Sequence, residues 1–229
     1  MTLITGANKG LGRETARRLT ALGHTVYLGA RDPHRGEEAA KAVGGRFVAL
    51  DVTSDVSVQA AVAAIEQEAG RLDVLVNNAG VPGGRIPVAE LTAASVLAVY
   101  QVNVLGAVRV THAMLPLLDR SEAPVIVNVS SGLGSLGLMT DPERFESSFI
   151  FPAYCSSKAA FNMLSSQYAK ALPRYRINVV DPGYTATDLN AHRGTKTVEQ
   201  GAEIIVTMAM IGPDGPTGTF VDEHGAVPW

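Results

Sequence analysis

Residues 5–12 read Thr5-Gly6-Ala7-Asn8-Lys9-Gly10-Leu11-Gly12 and decide the fold. A short apolar run precedes these residues, and a helical pattern follows them. Gly6 permits a tight turn, Gly10 lets backbone N–H groups approach a diphosphate, and Gly12 allows close packing of helix on strand. The N-terminus of the helix adds partial positive charge and unpaired donors. Glycines also serve ordinary tight turns, but this position between strand and helix favours a dinucleotide-binding turn.

Outward from this turn, short β-branched runs alternate with longer Ala-rich segments of helical period. Most of the strand segments are continuously apolar, which is typical of parallel strands covered on both faces. Strict alternation predicts an α/β fold with right-handed crossovers. The predicted strands are Thr2–Thr5, Thr25–Leu28, Phe47–Leu50, Val74–Asn77, Val125–Ser130, Ile177–Val180 and Thr219–Val221. The predicted helices cover 11–22, 34–42, 56–69, 95–118, 155–172 and 198–210.

Length and composition predict one globular domain over residues 1–229, with 46% hydrophobic and 18% charged residues. The net charge of −3 argues against nucleic acid or an anionic membrane as partner. The five His residues are scattered, so no metal site is expected, and a single cysteine, Cys155, forms no intramolecular disulfide. No secretion signal is evident, and no apolar run approaches the roughly 20 residues that span a bilayer. A cytoplasmic protein is expected.

The end of the second predicted strand bears on the choice of cofactor. NAD sites place an acid there for the ribose 2′-hydroxyl, whereas NADP sites place a base for the 2′-phosphate. Ala30 occupies the position where the acid is sought, and Arg31 follows it, with Lys9 in the glycine loop and Arg35 one turn later. Converging cations favour NADP(H). In the alternative, these are surface cations and Asp32 holds the ribose of NAD.

Tyr154 and Lys158 are spaced i, i+4 and are expected on one helix face. A free tyrosine has a pKa near 10, so a role as base at neutral pH requires about 4 kcal/mol of preferential stabilisation of tyrosinate. A nearby ammonium and an oxidised nicotinamide supply it in this interpretation. Ser131, after the fifth strand, is a candidate donor to a carbonyl oxygen. Ser131 is otherwise a turn serine, and Asn103 a packed mid-helix residue.

Taken together, these motifs resemble the short-chain dehydrogenase/reductase family over essentially the whole chain. The residues that carry the resemblance are Thr5–Gly12, Asp51-Val52, Asn77-Asn78-Ala79-Gly80, Asn103, Ser131, Tyr154, Lys158 and Pro182-Gly183. The passages at 7–10, 30–32 and 227–229 are most similar to the carbonyl-reductase-like branch, which generally uses NADPH. The resemblance implies a Rossmann-type doubly wound, parallel seven-stranded sheet with helices on both faces.

The resemblance also implies roles for individual residues. Ser131 would hold the carbonyl oxygen, Tyr154 would transfer the proton, and Lys158 would contact the nicotinamide ribose and depress the tyrosine pKa. Asn103 would fix a proton-relay water. The implied cofactor-binding residues are Gly6, Asn8, Lys9, Gly10, Leu11, Gly12, Arg31, Arg35, Asp51, Val52, Asn78, Ala79, Gly80, Tyr154, Lys158, Pro182, Gly183, Thr185 and Thr187.

One departure from the family pattern is a longer interval between Ser131 and Tyr154. The extra residues, roughly 138–151, form an insertion before the catalytic helix. In similar carbonyl reductases such an insertion accompanies monomeric behaviour, but this one is shorter, so monomer and homo-oligomer both stay open. Its apolar residues line a substrate mouth or anchor the insertion to the core. They are Phe145, Phe149, Ile150 and Phe151. Cys155 is assigned no role, and residues 184–197 are expected to form a substrate loop.

These observations predict an enzyme that reduces a ketone, aldehyde or quinone-type carbonyl of a small molecule with NADPH, reversibly. Two other functions use the same fold: an NADP(H)-binding redox sensor without turnover, and an NAD-dependent alcohol dehydrogenase. The joint presence of Tyr154, Lys158, Ser131 and Asn103 favours an enzyme over a sensor. The substrate is determined by loops, and loop sequences of this kind vary too freely to predict which substrate they bind.

Overall fold

The computed structural model describes all 229 residues, which form one eight-stranded sheet in the order β3-β2-β1-β4-β5-β6-β7-β8. Seven strands are parallel and the eighth is antiparallel to its neighbour. The chain places β2 and β3 on one side of β1 and then crosses to the other side, where β4 to β7 follow in order. This reversal of direction makes a doubly wound sheet. The strands are β1 Thr2–Thr5, β2 Val26–Ala30, β3 Arg46–Ala49, β4 Val74–Asn77, β5 Val125–Val129, β6 Arg176–Val180, β7 Phe220–Asp222 and β8 Gly225–Ala226.

The helices alternate with the strands and cover both faces of the sheet. They are α1 Gly10–Ala21, α2 Pro33–Val43, α3 Asp55–Ala69, α4 Ala93–Tyr100, α5 Ala107–Leu118, α6 Leu136–Met139, α7 Pro152–Ala171 and α8 Val198–Ala209. A π-helical segment, Gln101–Gly106, joins α4 to α5 without interruption. The predicted strand ends differ from these bounds by at most two residues and the helix ends by at most three.

Local sequence signals explain where several helices begin and end. Asp32 caps α2 by accepting a hydrogen bond from the Arg35 amide, and Pro33 fills the first helical position. Gly44, with φ of +71°, ends the same helix in the left-handed region that glycine adopts without strain. Ser54 caps α3 by accepting from the Ser57 amide. Capping and glycine stops therefore set these boundaries before tertiary packing contributes.

Adjacent residues of β1 bury their side chains on opposite faces of the sheet. Leu3 belongs to a cluster of 19 buried residues under α3, α5 and α7, whereas Ile4 belongs to a cluster of 17 under α1, α2 and α8. Both side chains are completely buried. Such two-sided burial accounts for the continuous apolar runs that the sequence shows in the strands.

Two features differ from the sequence-based expectation. The sheet has an eighth strand, because the chain turns back after β7 and pairs Val221 with Ala226 in a two-residue antiparallel strand. The expectation that no segment is long and apolar enough to span a bilayer is wrong for Ala93–Leu118, because the few polar residues in this continuous helix do not offset its apolar ones. Core helices of water-soluble proteins meet the same criterion; in this helix 28% of the apolar stretch is buried, and Val110, Met114 and Leu117 are among the buried residues of the helix. Location in the cytoplasm stays a prediction.

The last residues of the chain pack against the segment that follows Ser131. Ser135 Oγ donates to the Pro228 carbonyl at 2.6 Å, and the Gly137 amide donates to the Trp229 carbonyl at 3.1 Å. The Trp229 ring lies 5.6 Å from that of Phe220, centroid to centroid. The C-terminal segment thus supports the loop that follows Ser131.

Candidate active site

A cleft of about 760 Å³ opens at the carboxyl edge of the parallel strands. Turns after β1 to β6 and the start of α7 line it, which is where open α/β sheets bind ligands. All the residues predicted to bind cofactor line this cleft except Arg35. Ser131, Tyr154 and Lys158 of the predicted catalytic set line it as well, and Asn103 does not.

The glycine turn after β1 has the backbone that a diphosphate site requires. Gly6 and Gly10 have φ values of +64° and +53°, which strain any residue with a side chain. A Cβ at Gly12 would lie 2.5 Å from Asn78 Nδ2, an impossibly close contact. Lys9 is the N-cap of α1 and gives no side-chain cap, so first-turn amides face the cleft without a side-chain acceptor. These features fit the diphosphate of a dinucleotide.

At the end of β2, the structure separates the two predicted phosphate-binding arginines. Arg31 lines the cleft and is exposed. Burial raises the pKa of the Asp51 carboxyl, but hydrogen bonds from Thr53 and the charge of Arg31 lower it, and the net pKa lies below its usual value. Arg35 lies away from the cleft with its Nε 3.6 Å from Asp32 Oδ2. Asp32 is occupied in capping α2 and does not line the cleft. Of the charged side chains at positions 31, 32 and 35, only that of Arg31 therefore lines the cleft.

Lys9 spans the mouth of the cleft to the loop after β6. Its Nζ lies 2.7 Å from Asp188 Oδ2, and the other carboxylate oxygen lies 2.8 Å from His192 Nε2. These two pairings hold the pKa of Asp188 below its usual range. The predicted substrate loop at 184–197 contains a 3₁₀ turn, Asp188–Asn190, and is thereby tied to the glycine turn in this structure.

Ser131, Tyr154 and Lys158 converge because β5 ends beside α7. Lys158 Nζ donates to the Val129 carbonyl at 2.8 Å and lies 5.8 Å from the centre of the Tyr154 ring. A Cβ at Gly134 would come within 2.7 Å of Lys158 Cβ, so only glycine lets the loop after Ser131 approach the helix this closely. The same loop is fastened to α7 where Asn162 Nδ2 donates to the Gly134 carbonyl at 3.1 Å.

Asn103 lies in the π-helical segment, with its side chain behind the cleft. Its Oδ1 accepts from the Val81 amide at 2.8 Å, and its Nδ2 donates to the Val81 carbonyl and to Ser157 Oγ, both at 3.0 Å. A Cβ at Gly80 would lie 3.5 Å from Asn103 Oδ1 and 3.7 Å from Lys158 Nζ, so the amide and the ammonium flank the same glycine. In this structure the Asn103 side chain braces the loop after β4.

Burial dominates the protonation of the two central groups. Burial raises the pKa of Tyr154 well above its usual value, the charge of Asp181 raises it further, and a hydrogen bond with Ser131 opposes the rise. Burial lowers the pKa of Lys158 to about 8, and Asp181 opposes this decrease. The lowering of the Tyr154 pKa by Lys158 and an oxidised nicotinamide stays a prediction. At pH 7 the site holds a phenol and, predominantly, an ammonium.

Aromatic rings of the insertion also line the cleft. Phe145, Phe149 and Phe151 reach it, whereas Ile150 points outward and is 72% exposed. Phe145 and Phe149 meet edge to face at 4.8 Å between centroids, and Phe149 lies 6.2 Å from the Tyr184 ring of the loop after β6. The insertion therefore contributes an apolar wall to the cleft, and contact of this wall with a substrate stays a prediction.

The sequence reasoning missed Asp181, which is 9% exposed and lines the cleft immediately before Pro182-Gly183. A polar residue at the end of a predicted parallel strand is a signal for a position at this edge.

Comparison with known proteins agrees with this architecture. A model of the short chain dehydrogenase family matches residues 1–198. The chain therefore belongs to the short-chain dehydrogenase/reductase family, a class of oxidoreductases that use a nicotinamide cofactor.

Among its relatives is the short-chain dehydrogenase anuI of Penicillium roqueforti, 37% identical over 99% of this chain and 95% of that one. Salutaridine reductase of Papaver bracteatum is 31% identical over 96% of this chain and 93% of its own. NADPH-bound carbonyl reductase from chicken fatty liver superimposes with a TM-score of 0.88 and 25% identity, covering 100% of this chain and 98% of that one. In each of these three comparisons, the similarity covers almost the whole of this chain and of the relative.

Proposed function

We propose that this protein is an NADPH-dependent reductase of a ketone, aldehyde or quinone-type carbonyl in a small, moderately hydrophobic molecule. The observation that carries the proposal is a single cleft lined by Arg31 and also by Ser131, Tyr154 and Lys158. Reductases among its relatives, and the NADPH in the similar carbonyl reductase, support it.

In the proposed mechanism, NADPH supplies a hydride to the carbonyl carbon when bound. Ser131 donates a hydrogen bond to the carbonyl oxygen, where negative charge develops. Tyr154 delivers its phenolic proton to the same oxygen and is left as tyrosinate. The Lys158 ammonium, held by the Val129 carbonyl, offsets that charge before a solvent proton restores the phenol.

The first experiment measures loss of NADPH and NADH absorbance against a panel of ketones, aldehydes and quinones. Turnover with NADPH at least tenfold faster than with NADH, at subsaturating cofactor, is the expected result. Tight binding of NADPH without reduction of any compound would favour a redox sensor. Failure of either nucleotide to bind would contradict the proposal at its base.

Arg31→Ala tests the choice of cofactor. An arginine on a phosphate makes charge-assisted hydrogen bonds worth about 1.5–3 kcal/mol, so the Kd for NADPH should rise about 10- to 150-fold while that for NADH stays within about threefold. Binding titrations by nucleotide fluorescence measure both values.

Lys41→Ala is the matched control, because it removes an exposed cation from α2 that does not line the cleft. Arg35→Ala separates two predictions. The sequence predicts a contact of Arg35 with the phosphate and therefore a loss of NADPH affinity, whereas the structure has Arg35 beside Asp32 and predicts no such loss. Equal losses of NADPH and NADH affinity in Arg31→Ala would contradict the phosphate contact.

A further inference from the structure

The loop after β6 is fastened to the glycine turn by one charged side chain from each. Lys9 Nζ donates to Asp188 Oδ2 at 2.7 Å, and this is the only hydrogen bond that the Lys9 side chain makes. The two segments also meet beside the ion pair, where a Cβ at Gly10 would lie 3.5 Å from Thr187 Cγ2. The Lys9–Asp188 ion pair therefore bridges the cleft at the turn where the phosphates of a dinucleotide are expected.

The backbone just after Asp188 is strained. Ala191 and His192, with φ values of +54° and +58°, are the only residues other than glycine in the left-handed region, which a side chain disfavours. The His192 amide donates to the Thr187 carbonyl at 2.9 Å, and its ring Nε2 lies 2.8 Å from Asp188 Oδ1. Such strain persists where neighbouring contacts hold it, and it is typical of ligand clamps and switch regions. Asp188 thus takes part in both the ion pair and the contacts that hold the strained turn.

The Asp188 carboxylate occupies a cation that a cofactor phosphate would also bind. Lys9 and Asp188 line the same cleft as Arg31, the arginine expected at the 2′-phosphate. While Asp188 holds the ammonium, the positive charge is neutralised and a carboxylate stands where a phosphate would approach it. The two side chains are 57% and 53% exposed, and an exposed ion pair contributes little free energy. A phosphate with more negative charge than a carboxylate can therefore displace Asp188 from Lys9.

We propose that Asp188 is an internal competitor of the cofactor: it binds the Lys9 ammonium in the free protein, and the 2′-phosphate of NADPH displaces it and so releases the loop after β6. This rests on the proposed function, in which NADPH is the cofactor. NADH has no 2′-phosphate and leaves the ion pair in place. The affinity for NADPH is lowered by the fraction of the protein in which Lys9 is occupied, so removal of the Asp188 charge tightens NADPH binding. A residue that only maintains the structure of the loop has no such effect.

The test is a double-mutant cycle on the Kd values for NADPH and NADH, measured by nucleotide fluorescence. Asp188→Asn should lower the Kd for NADPH about three- to fivefold, the range open to an exposed ion pair, and change that for NADH less than about 1.5-fold. Lys9→Met should raise the Kd for NADPH about tenfold. In the Lys9→Met protein, the further change Asp188→Asn should alter the Kd for NADPH less than about 1.5-fold, because no ammonium is left to compete for.

Two nucleotide fragments separate the 2′-phosphate from the diphosphate. Adenosine 2′-monophosphate should bind more tightly to Asp188→Asn than to wild type, whereas adenosine 5′-diphosphate should bind equally to both. Asp214→Asn is the matched control, because it removes the same charge from an exposed position outside the cleft. It should leave all four Kd values unchanged. These measurements need no turnover and keep their meaning even if no carbonyl in the panel is reduced.

Internal competition is overturned if Asp188→Asn binds NADPH as wild type does or more weakly, since Asp188 would then only maintain the loop. An equal gain for NADPH and NADH would overturn it too, as would a gain that persists in the Lys9→Met protein, because the effect would then follow the net charge of the cleft. Failure of wild type to bind either nucleotide would instead contradict the proposed function itself.

Discussion

Replacing Tyr154 by phenylalanine is expected to lower kcat for carbonyl reduction about 10³-fold, within the range of 10²–10⁴ that a positioned general acid contributes. The substitution removes only the hydroxyl, and the ring keeps its place in the first turn of α7. Lys158 and the glycine turn are untouched, so the Kd for NADPH should change less than threefold. The activity lost is therefore the proton transfer, and binding persists.

Tyr168→Phe is the control for this substitution. Tyr168 lies on the same helix, half-buried and outside the cleft, and burial likewise raises its pKa. The kcat of the Tyr168→Phe protein should stay within twofold of wild type. Retention of more than a tenth of the activity in Tyr154→Phe would assign proton transfer to another group.

Lys158→Met is expected to stabilise the protein without cofactor by about 2–3 kcal/mol at pH 7 while lowering its activity. Burial lowers the pKa of Lys158 from 10.5 to about 8, and this difference corresponds to about 3 kcal/mol at 1.36 kcal/mol per pH unit. Loss of the hydrogen bond to the Val129 carbonyl subtracts about 1 kcal/mol. Methionine fills a similar volume without the charge.

The pH dependence gives this prediction its sign. Below pH 8 the lysine is protonated in both the folded and unfolded chains, and the folded protein carries the full penalty of burying its charge. Between pH 8 and 10.5 the folded protein releases the proton first, so the penalty declines and wild type gains stability relative to Lys158→Met. Above pH 10.5 the penalty is gone.

Urea unfolding at pH 7, 9 and 10.5 measures the difference in free energy of unfolding between the two proteins. Lys170→Met, in the exposed last turn of α7, is the control and should show no crossover with pH. A Lys158→Met protein that is less stable than wild type at pH 7 would show that the ammonium is well accommodated. In that case it would not be a strained group kept for catalysis.

Much of the fold was predictable because local signals and burial agree. The seven parallel strands carry apolar runs, and the glycine turn is unmistakable after β1. The two-residue strand β8 was not predictable, since Gly225–Ala226 has neither length nor side-chain pattern and pairs only because the chain reverses after β7. The π-helical segment at Gln101–Gly106 has an ordinary helical sequence, and tertiary contacts of Asn103 accompany its altered winding.

The sequence predicted which residues line the site better than it predicted their pKa values and ion pairs. Tyr154, Lys158 and Ser131 converge as expected, but the sequence gives no measure of burial, and burial moves the pKa of Tyr154 and Lys158 in the directions that disfavour charge. The pairing of Arg35 with Asp32 is a choice of rotamers on α2 that helical spacing permits but does not require. The oligomeric state and the role of the insertion in association stay predictions.

The contact between the end of the chain and the loop after Ser131 bears on how this sequence can diverge. A Cβ at Gly137 would come within 2.9 Å of Pro228 Cβ, and Ser135 and Gly137 both bond to carbonyls of the last two residues. A side chain gained at position 137 is tolerated only where position 228 has yielded space. Because these two stretches are distant in sequence but in contact, relatives that alter one of them should carry a compensating change in the other.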